Sequence, residues 1–331
     1  KGLWWARRAR LGVADAIVAA SAIEHHAVLD PVEWLGKHEG ADVRWIPVDA
    51  SGRVEVDFID HLLSSAAERT ALLSVMWANN EVGTVQPVRE IAAACRSAGV
   101  PFHTDAVQAL GQIPVDLSEV GATAVTISGH KVGGPFGIGA LVVDPYENLV
   151  AVSHGGGQER DIRSGTFDAP AAAAFAVAVH LAVEEQAARA ARLQSLQIQL
   201  VDGIASVVPD AIINGPVVGD PATRLPGNVH ASFAGAEGDA LLMLLDAAGV
   251  DCSTGSACTA GVPEPSHVLL AMGVNERTAR ASLRFSFGRT STDEDVAAIT
   301  RALPGAVERA RRAGSVSTDR YRAARENEVD R

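Results

Sequence analysis

Three stretches of the chain place chemically capable side chains directly after apolar runs. In ISGHKVGGPFGIGALVV, Ser128, His130 and Lys131 follow an apolar strand and precede a glycine-rich turn. A lysine drawn into such a site loses solvation, its pKa falls, and its neutral amine becomes a nucleophile able to form a Schiff base with an aldehyde. Standing alone, Lys131 would more often be a solvated loop residue. In FHTDAVQ, Asp105 ends another apolar strand and Gln108 follows about one turn on, so both side chains can reach one ligand. A strand-end carboxylate is what a pyridoxal ring requires, because an ionised Asp keeps the ring nitrogen protonated and lets the ring accept electrons. Alone, Asp105 would more often be a helix cap. A third cluster, ANNEVGTVQP, offers Asn79, Asn80 and Glu81, although Asn-rich stretches usually form turns. It is the conjunction of the three strand ends that points to a cofactor site.

The chain has three cysteines, an odd number with no disulfide framework, which fits a reducing cytoplasm. Cys258 lies in STGSACTAGVPEP, a run of small residues and prolines expected to be an exposed, mobile loop. An accessible cysteine there can form a thiolate and be carried between substrate and acceptor; a lone cysteine is otherwise more often a small buried residue. Cys252, at the end of GVDC, fits a structural role, and Cys95, in the apolar helix IAAACRSA, fits packing. No C-x2-4-C pair exists and His267 alone completes no set, so no metal site is expected.

The elements that must position these groups alternate along the chain. Strands are expected at Asp15 to Ser21, Asp42 to Val48, Ala71 to Ala78, Val100 to Ala106, Ala122 to Gly129 and Ile138 to Val143. Helices are expected at Pro31 to His38, Val56 to Ala67 and Pro87 to Ala98. This rhythm predicts an α/β fold with a mostly parallel or mixed sheet covered by helices, with ligands gathered at the carboxyl ends of the strands. From Pro170 to about Val207 an Ala-rich and then Arg/Gln/Glu-rich stretch, with Leu193, Leu196 and Leu200 at helical spacing, predicts one long connecting helix. Strands at Asn228 to Phe233 and Ser282 to Phe287, with helices at Asp239 to Ala248 and Ser266 to Met272, predict a smaller α/β domain. The expected division is a large domain over residues 1–190, a small C-terminal domain over 191–312, and a polar, mobile tail over 313–331.

Composition limits the function classes. The 331 residues carry a net charge of −12, which makes general nucleic-acid coating a poor expectation and requires a local positive pocket for any anionic small molecule. The longest apolar run, Ala169 to Val179, is short of the ~20 residues a membrane span needs. KGLWWARRAR lacks a signal core and resembles the middle of a helix. The sequence is thus expected to be soluble and cytoplasmic.

MWANNEVGTVQPV, FHTDAVQALGQIPVDL, SGHKVGGPFGIGALVV, GGGQERDIRSGT, STGSACTAGVPEPS and SLRFSFGRTST together resemble, in order and approximate spacing, the NifS/IscS-like cysteine desulfurases of the class-V aminotransferase superfamily. The resemblance runs from about Ala14 to Asp295 and implies the type I fold of transferases that depend on pyridoxal 5'-phosphate. By the same resemblance, Lys131 is the Schiff-base lysine and Asp105 the partner of the pyridine nitrogen. Gln108 and Asn80 bond the ring's 3-oxygen, with Asn80 also near substrate, and Ser128 and His130 bind the phosphate. His25, in IEHHAVLD, resembles the histidine stacked on the ring that also moves protons, while His26 falls where the family varies. Thr166 resembles a residue lent to the phosphate of a second subunit, implying a homodimer. Arg284 resembles the arginine that grips the substrate carboxylate, a planar two-pronged task suited to guanidinium, with Arg289 as the alternative. Cys258 resembles the nucleophile that takes the sulfur of L-cysteine as a persulfide, leaving L-alanine, and hands it to an acceptor such as an iron–sulfur scaffold protein.

The family's Gly-Thr phosphate turn, at the start of an N-terminal helix, lies upstream of the residues given, and KGLWWARR aligns with the helix that follows it. A fragment or a weakened, inactive relative is then an alternative, and the 331-residue chain is expected to bind pyridoxal phosphate more weakly than an upstream-extended form. Two rivals remain: another class-V enzyme, such as a transaminase or selenocysteine lyase, which would keep Lys131 and Asp105 without needing Cys258, and a non-enzymatic binding or scaffold protein.

Overall fold

The computed structural model describes residues 1–254 and 264–329, with side chains described as far as residue 313. In chain order the elements are α1 (Gly2–Leu11), β1 (Ile17–Ser21), α2 (His26–Glu39), β2 (Asp42–Ile46), α3 (Val56–Ala66), β3 (Thr70–Ser74), α4 (Val88–Ser97), β4 (Phe102–Asp105), α5 (Leu117–Val120), β5 (Ala124–Ser128) and β6 (Gly139–Val143). They continue with α6 (Ala169–Glu184), α7 (Gln186–Val207), β7 (Ile212–Ile213), β8 (Asn228–Ser232), α8 (Gly238–Asp246), α9 (His267–Ala271), α10 (Glu276–Arg280), β9 (Ser282–Ser286) and α11 (Asp293–Val329).

The first compact unit comprises Lys1–Asp49, Arg53–Asn80 and Val85–Ala188. Its six-stranded sheet has the order β2-β1-β3-β4-β5-β6, with neighbours parallel except for the antiparallel pair β5–β6. Every residue of β1 and β3 is buried, as expected where helices cover both faces of a parallel sheet. In α4, Val88, Ile91, Ala92 and Cys95 recur at helical spacing and form its buried stripe, which accounts for Cys95. Trp4 of α1 is fully buried and donates Nε1–H to the Ala16 carbonyl at 3.1 Å, so its one polar atom is satisfied inside the core. β6 contrasts with the inner strands: Leu141 and Val142 are exposed on it, as are Phe136 and Tyr146 on either side.

The second unit comprises Arg189–Arg331 together with Ala50–Gly52 and Glu81–Thr84. Its antiparallel sheet β7-β8-β9 packs with Leu193, Leu196, Leu200 and Ile204 of α7, and Val296, Ile299 and Leu303 of α11 join the same core. Truncating the fully buried Leu200 to Ala would cost about 2–5 kcal/mol.

Two expectations are revised. The single connecting helix is two helices, α6 ending at Glu184 and α7 beginning at Gln186. Glu184 and Glu185 are unfavourable at the C-terminal end of a helix dipole, whereas Glu185 is favourable at the start of the next, so a break here suits the charges. The helical backbone of α11 also continues to Val329, across the polar stretch expected as a tail. Among the described residues, no single helix is long and apolar enough to cross a membrane.

Candidate active site

The parallel register gathers one row of polar side chains at the carboxyl ends of the central strands. Ser74 is paired with His103, and Asp105 with Thr126; residues two apart on a strand share a face, so Ser74, His103, Asp105, Thr126 and Ser128 line the same side. The His103 ring is clamped across three strands, with Nδ1 at 2.8 Å from Ser74 Oγ and Nε2 at 2.8 Å from Thr126 Oγ1. Burial pushes His103 down to about 4, so the clamp is a neutral imidazole. The backbone finishes the edge: Trp77 N–H donates to the Asp105 carbonyl at 2.8 Å, and Ala106 N–H to the Thr126 carbonyl at 2.9 Å.

Asp105 is 6% exposed, and its Oδ1 accepts the Val107 N–H at 2.9 Å. Desolvation raises its pKa above the usual carboxylate value, opposed by the Val107 N–H and by the nearby His25. His25 caps α2: its Nδ1 accepts the Ala27 N–H at 3.1 Å, which leaves the ring's proton on Nε2 in the neutral form. Both His25 and its neighbour His26 are exposed, and His26 pairs with Asp30 at 2.8 Å.

Ser128, His130 and Lys131 follow one another where β5 runs into the short 3-10 turn Gly129–Val132. Ser128 Oγ lies 2.8 Å from His130 Nδ1. Gly129 is required here, because a Cβ would stand 2.9 Å from both the Pro135 carbonyl oxygen and Ile138 Cγ2. Lys131, in the turn that follows β5, is exposed, which corrects the expectation of a lysine drawn out of solvent. Gln108 is half-buried in the turn after Asp105. Asn80 is half-buried, while Asn79 is fully buried and donates Nδ2–H to the Ile23 carbonyl at 3.0 Å. Thr166 is exposed in the connection from β6 to α6.

Arg284 belongs to the second unit. It is half-buried on β9 opposite His230, and burial lowers its pKa while the charge of Glu81 acts the other way. Glu81 is itself buried and accepts from the Ser266 hydroxyl, which also caps α9. Arg289 is exposed in the turn after β9, where its carbonyl accepts from Arg192. Ser253 exchanges backbone hydrogen bonds with Arg284. Cys258 lies outside the described residues. The thiols of the other two cysteines are held protonated by burial, Cys95 pushed up to about 12 and Cys252 to about 11, the latter with help from Asp251 and Asp246.

Three site groups escaped the sequence reading. His103 had a usable signal, since it sits two residues before Asp105 and so shares its face. Glu24, an acid between an apolar strand and His25, also broke the hydrophobic pattern in a visible way. The pairing of Glu81 with Ser266 had none, because the two meet only through tertiary structure.

The residues present fit pyridoxal phosphate. A carboxylate desolvated at a strand end is offset by a protonated ring nitrogen, and its second oxygen is available beyond the Val107 contact. The Ser128 hydroxyl, the His130 ring and the tight glycine turn supply donors and close backbone approach for a phosphate.

Comparison with known proteins agrees. The class-V aminotransferase family profile matches residues 6–299. An IscS-like cysteine desulfurase of Mycobacterium tuberculosis is 51% identical over 313 residues, covering 95% of this chain and 78% of its own length. Cysteine desulfurase IscS of Clostridium botulinum is 40% identical over 294 residues, covering 89% of this chain and 72% of its own length. Among solved structures, a NifS-like protein superposes with a TM-score of 0.81 at 31% identity, covering 93% of this chain and 78% of its own. DndA from Streptomyces lividans gives 0.69 at 34% identity, covering 86% and 80%. The chain therefore belongs to the class-V aminotransferase family and, within it, to the IscS/NifS-like cysteine desulfurases, enzymes that depend on pyridoxal phosphate.

Proposed function

We propose that this chain transfers the sulfur of L-cysteine to Cys258, releasing L-alanine and leaving a persulfide for an acceptor protein. The observation that carries the proposal is the row formed by Asp105 at the end of β4 and by Ser128, His130 and Lys131 at the end of the paired β5. When bound, pyridoxal phosphate supplies an electron-accepting ring that makes loss of the α-proton and cleavage of the carbon–sulfur bond accessible. Lys131 is the amine that would hold the cofactor through its aldehyde, and when free it would serve as the base for the substrate α-proton. Asp105 would keep a proton on the ring nitrogen, His25 would stack on the ring and move protons at Nε2, and Gln108 and Asn80 would donate to the ring oxygen. Ser128 and His130 would hold the phosphate, joined by Thr166 of a second copy. Arg284 fixes the substrate carboxylate with its two-pronged guanidinium.

The group transfer balances. The Cys258 thiolate attacks the substrate sulfur, the carbon–sulfur bond breaks, the carbon fragment gains a proton and leaves as alanine, and the sulfur remains on Cys258. Cys95 and Cys252, with thiols held protonated, are poor competitors for that role. A homodimer is supported by the exposed apolar side chains Phe136, Leu141, Val142 and Tyr146 in the unit that also exposes Thr166. The persulfide would serve iron–sulfur cluster assembly or thio-cofactor and tRNA sulfur supply in the cytoplasm.

The test is direct. With pyridoxal phosphate and L-cysteine, the chain is expected to form alanine and to add one sulfur atom to the peptide bearing Cys258, seen by mass spectrometry. Cys258→Ala should keep the visible absorbance of the bound cofactor and lose both products. Alanine formation by Cys258→Ala at the parent rate would overturn the proposal in favour of a different class-V reaction.

A further inference from the structure

Glu24 immediately precedes His25 in the connection from β1 to α2 and is fully buried. Its Oε1 accepts the Met76 N–H at 2.6 Å, and the neighbouring Ile23 carbonyl accepts from Asn79 Nδ2 at 3.0 Å. The dipeptide that delivers His25 is thereby stitched to the segment that delivers Asn80. The charge of Asp105, at the end of β4, is felt at Glu24, and that of His25 is felt at Asp105.

We infer that Glu24 is a positioning residue for the cofactor site, held as a neutral acid so that Asp105 alone carries the negative charge a protonated ring nitrogen would require. The inference rests on the pyridoxal-phosphate assignment above. Two buried carboxyls in electrostatic contact do not both ionise readily, and the more deeply buried keeps the proton. Glu24 is the more deeply buried: desolvation first, and then the charge of Asp105, push it up to about 8 against the pull of the Met76 N–H. A neutral Glu24 still accepts the Met76 N–H through its carbonyl oxygen, so neither the stitch nor the placement of His25 and Asn80 needs its charge. A glutamine at this position reproduces the neutral shape, whereas an alanine removes the stitch.

Three chains test this: the parent, Glu24→Gln and Glu24→Ala. Cofactor affinity is read from visible absorbance, and thermal unfolding of the cofactor-free chains is followed from mildly acid to mildly alkaline pH. Glu24→Gln should bind the cofactor within about twofold of the parent near neutrality and Glu24→Ala at least about tenfold more weakly. A carboxyl whose pKa is raised on folding binds more protons folded than unfolded, so its contribution to stability is lost as pH rises from its ordinary value of 4.5 towards about 8. The parent's unfolding midpoint should therefore fall relative to that of Glu24→Gln across this window. Parallel midpoints, or a loss of affinity beyond about tenfold in Glu24→Gln near neutrality, would overturn the inference. Should the parent take up no pyridoxal phosphate at all, the cofactor assignment fails, and the unfolding comparison still decides the protonation state of Glu24. Should Glu24→Ala not fold, Glu24→Gln carries both readouts.

Discussion

His103 Nε2 and Thr126 Oγ1 lie 2.8 Å apart, joining β4 to β5 at the strand position paired with Asp105. With Ser74 on the other ring nitrogen, the imidazole ties β3, β4 and β5 together on the side that carries Asp105. Because burial holds His103 neutral down to about 4, the unfolded chain takes up the proton first as pH falls. The contribution to stability is present above 6.5, the ordinary value, and lost as pH drops through the folded value, an effect of about 3 kcal/mol. His230, pushed down to about 3 in the second unit, acts with the same sign. His103→Gln should therefore lose less stability on acidification than the parent, by about that amount, in urea unfolding followed from neutrality down to about pH 4. Equal losses in both chains would show that the ring is solvated or charged in the folded state.

Asp105→Asn changes charge with little change of shape. Relief of a desolvated carboxylate should leave the unfolding midpoint of the cofactor-free chain unchanged or raised. Alanine formation from L-cysteine should drop about 10²–10³-fold, since an amide cannot hold a proton on the ring nitrogen. Activity within about tenfold of the parent would remove Asp105 from that role.

Lys131→Ala separates a chemical role from a structural one. The side chain is exposed at the end of the turn after β5, so its loss should change stability by no more than about 0.5 kcal/mol. The visible absorbance of the covalently anchored cofactor should nevertheless disappear. If the absorbance survives in this variant, the anchor is another residue.

Local pattern carried most of the fold. The strands from Ile17 to Val143 and the helices between them follow from apolar runs and 3.6-residue periodicity, and Asp105, Ser128 and Lys131 stand out because each follows such a run. What stayed hidden depends on register and burial. The likeness of Glu24 to an ordinary strand-end acid conceals that it is fully buried and feels the charge of Asp105, and nothing local places Glu81–Thr84 in the second unit. The break between α6 and α7 was legible only as two adjacent acids in an otherwise continuous helical stretch. The solvation of Lys131 is a property of where the turn ends, not of the residues in it.

Arg284 and Arg289 lie close in sequence but differ in setting, and that difference decides which should bind substrate. Arg284 is half-buried on β9, and its charge is favoured by the nearby buried Glu81. Arg289 is exposed beyond the strand, where a surface ion pair is worth little. A carboxylate held by a half-buried guanidinium fork gains about 1.5–3 kcal/mol, which lysine cannot reproduce because it is a point charge without the fork. Arg284→Lys should therefore raise the KM for L-cysteine about 10–100-fold with a smaller change in kcat, while Arg289→Lys should leave both within about twofold. The split matters because a purely structural effect of Arg284 would lower the unfolding midpoint and kcat together. An increase in KM confined to Arg289→Lys would exchange the two assignments.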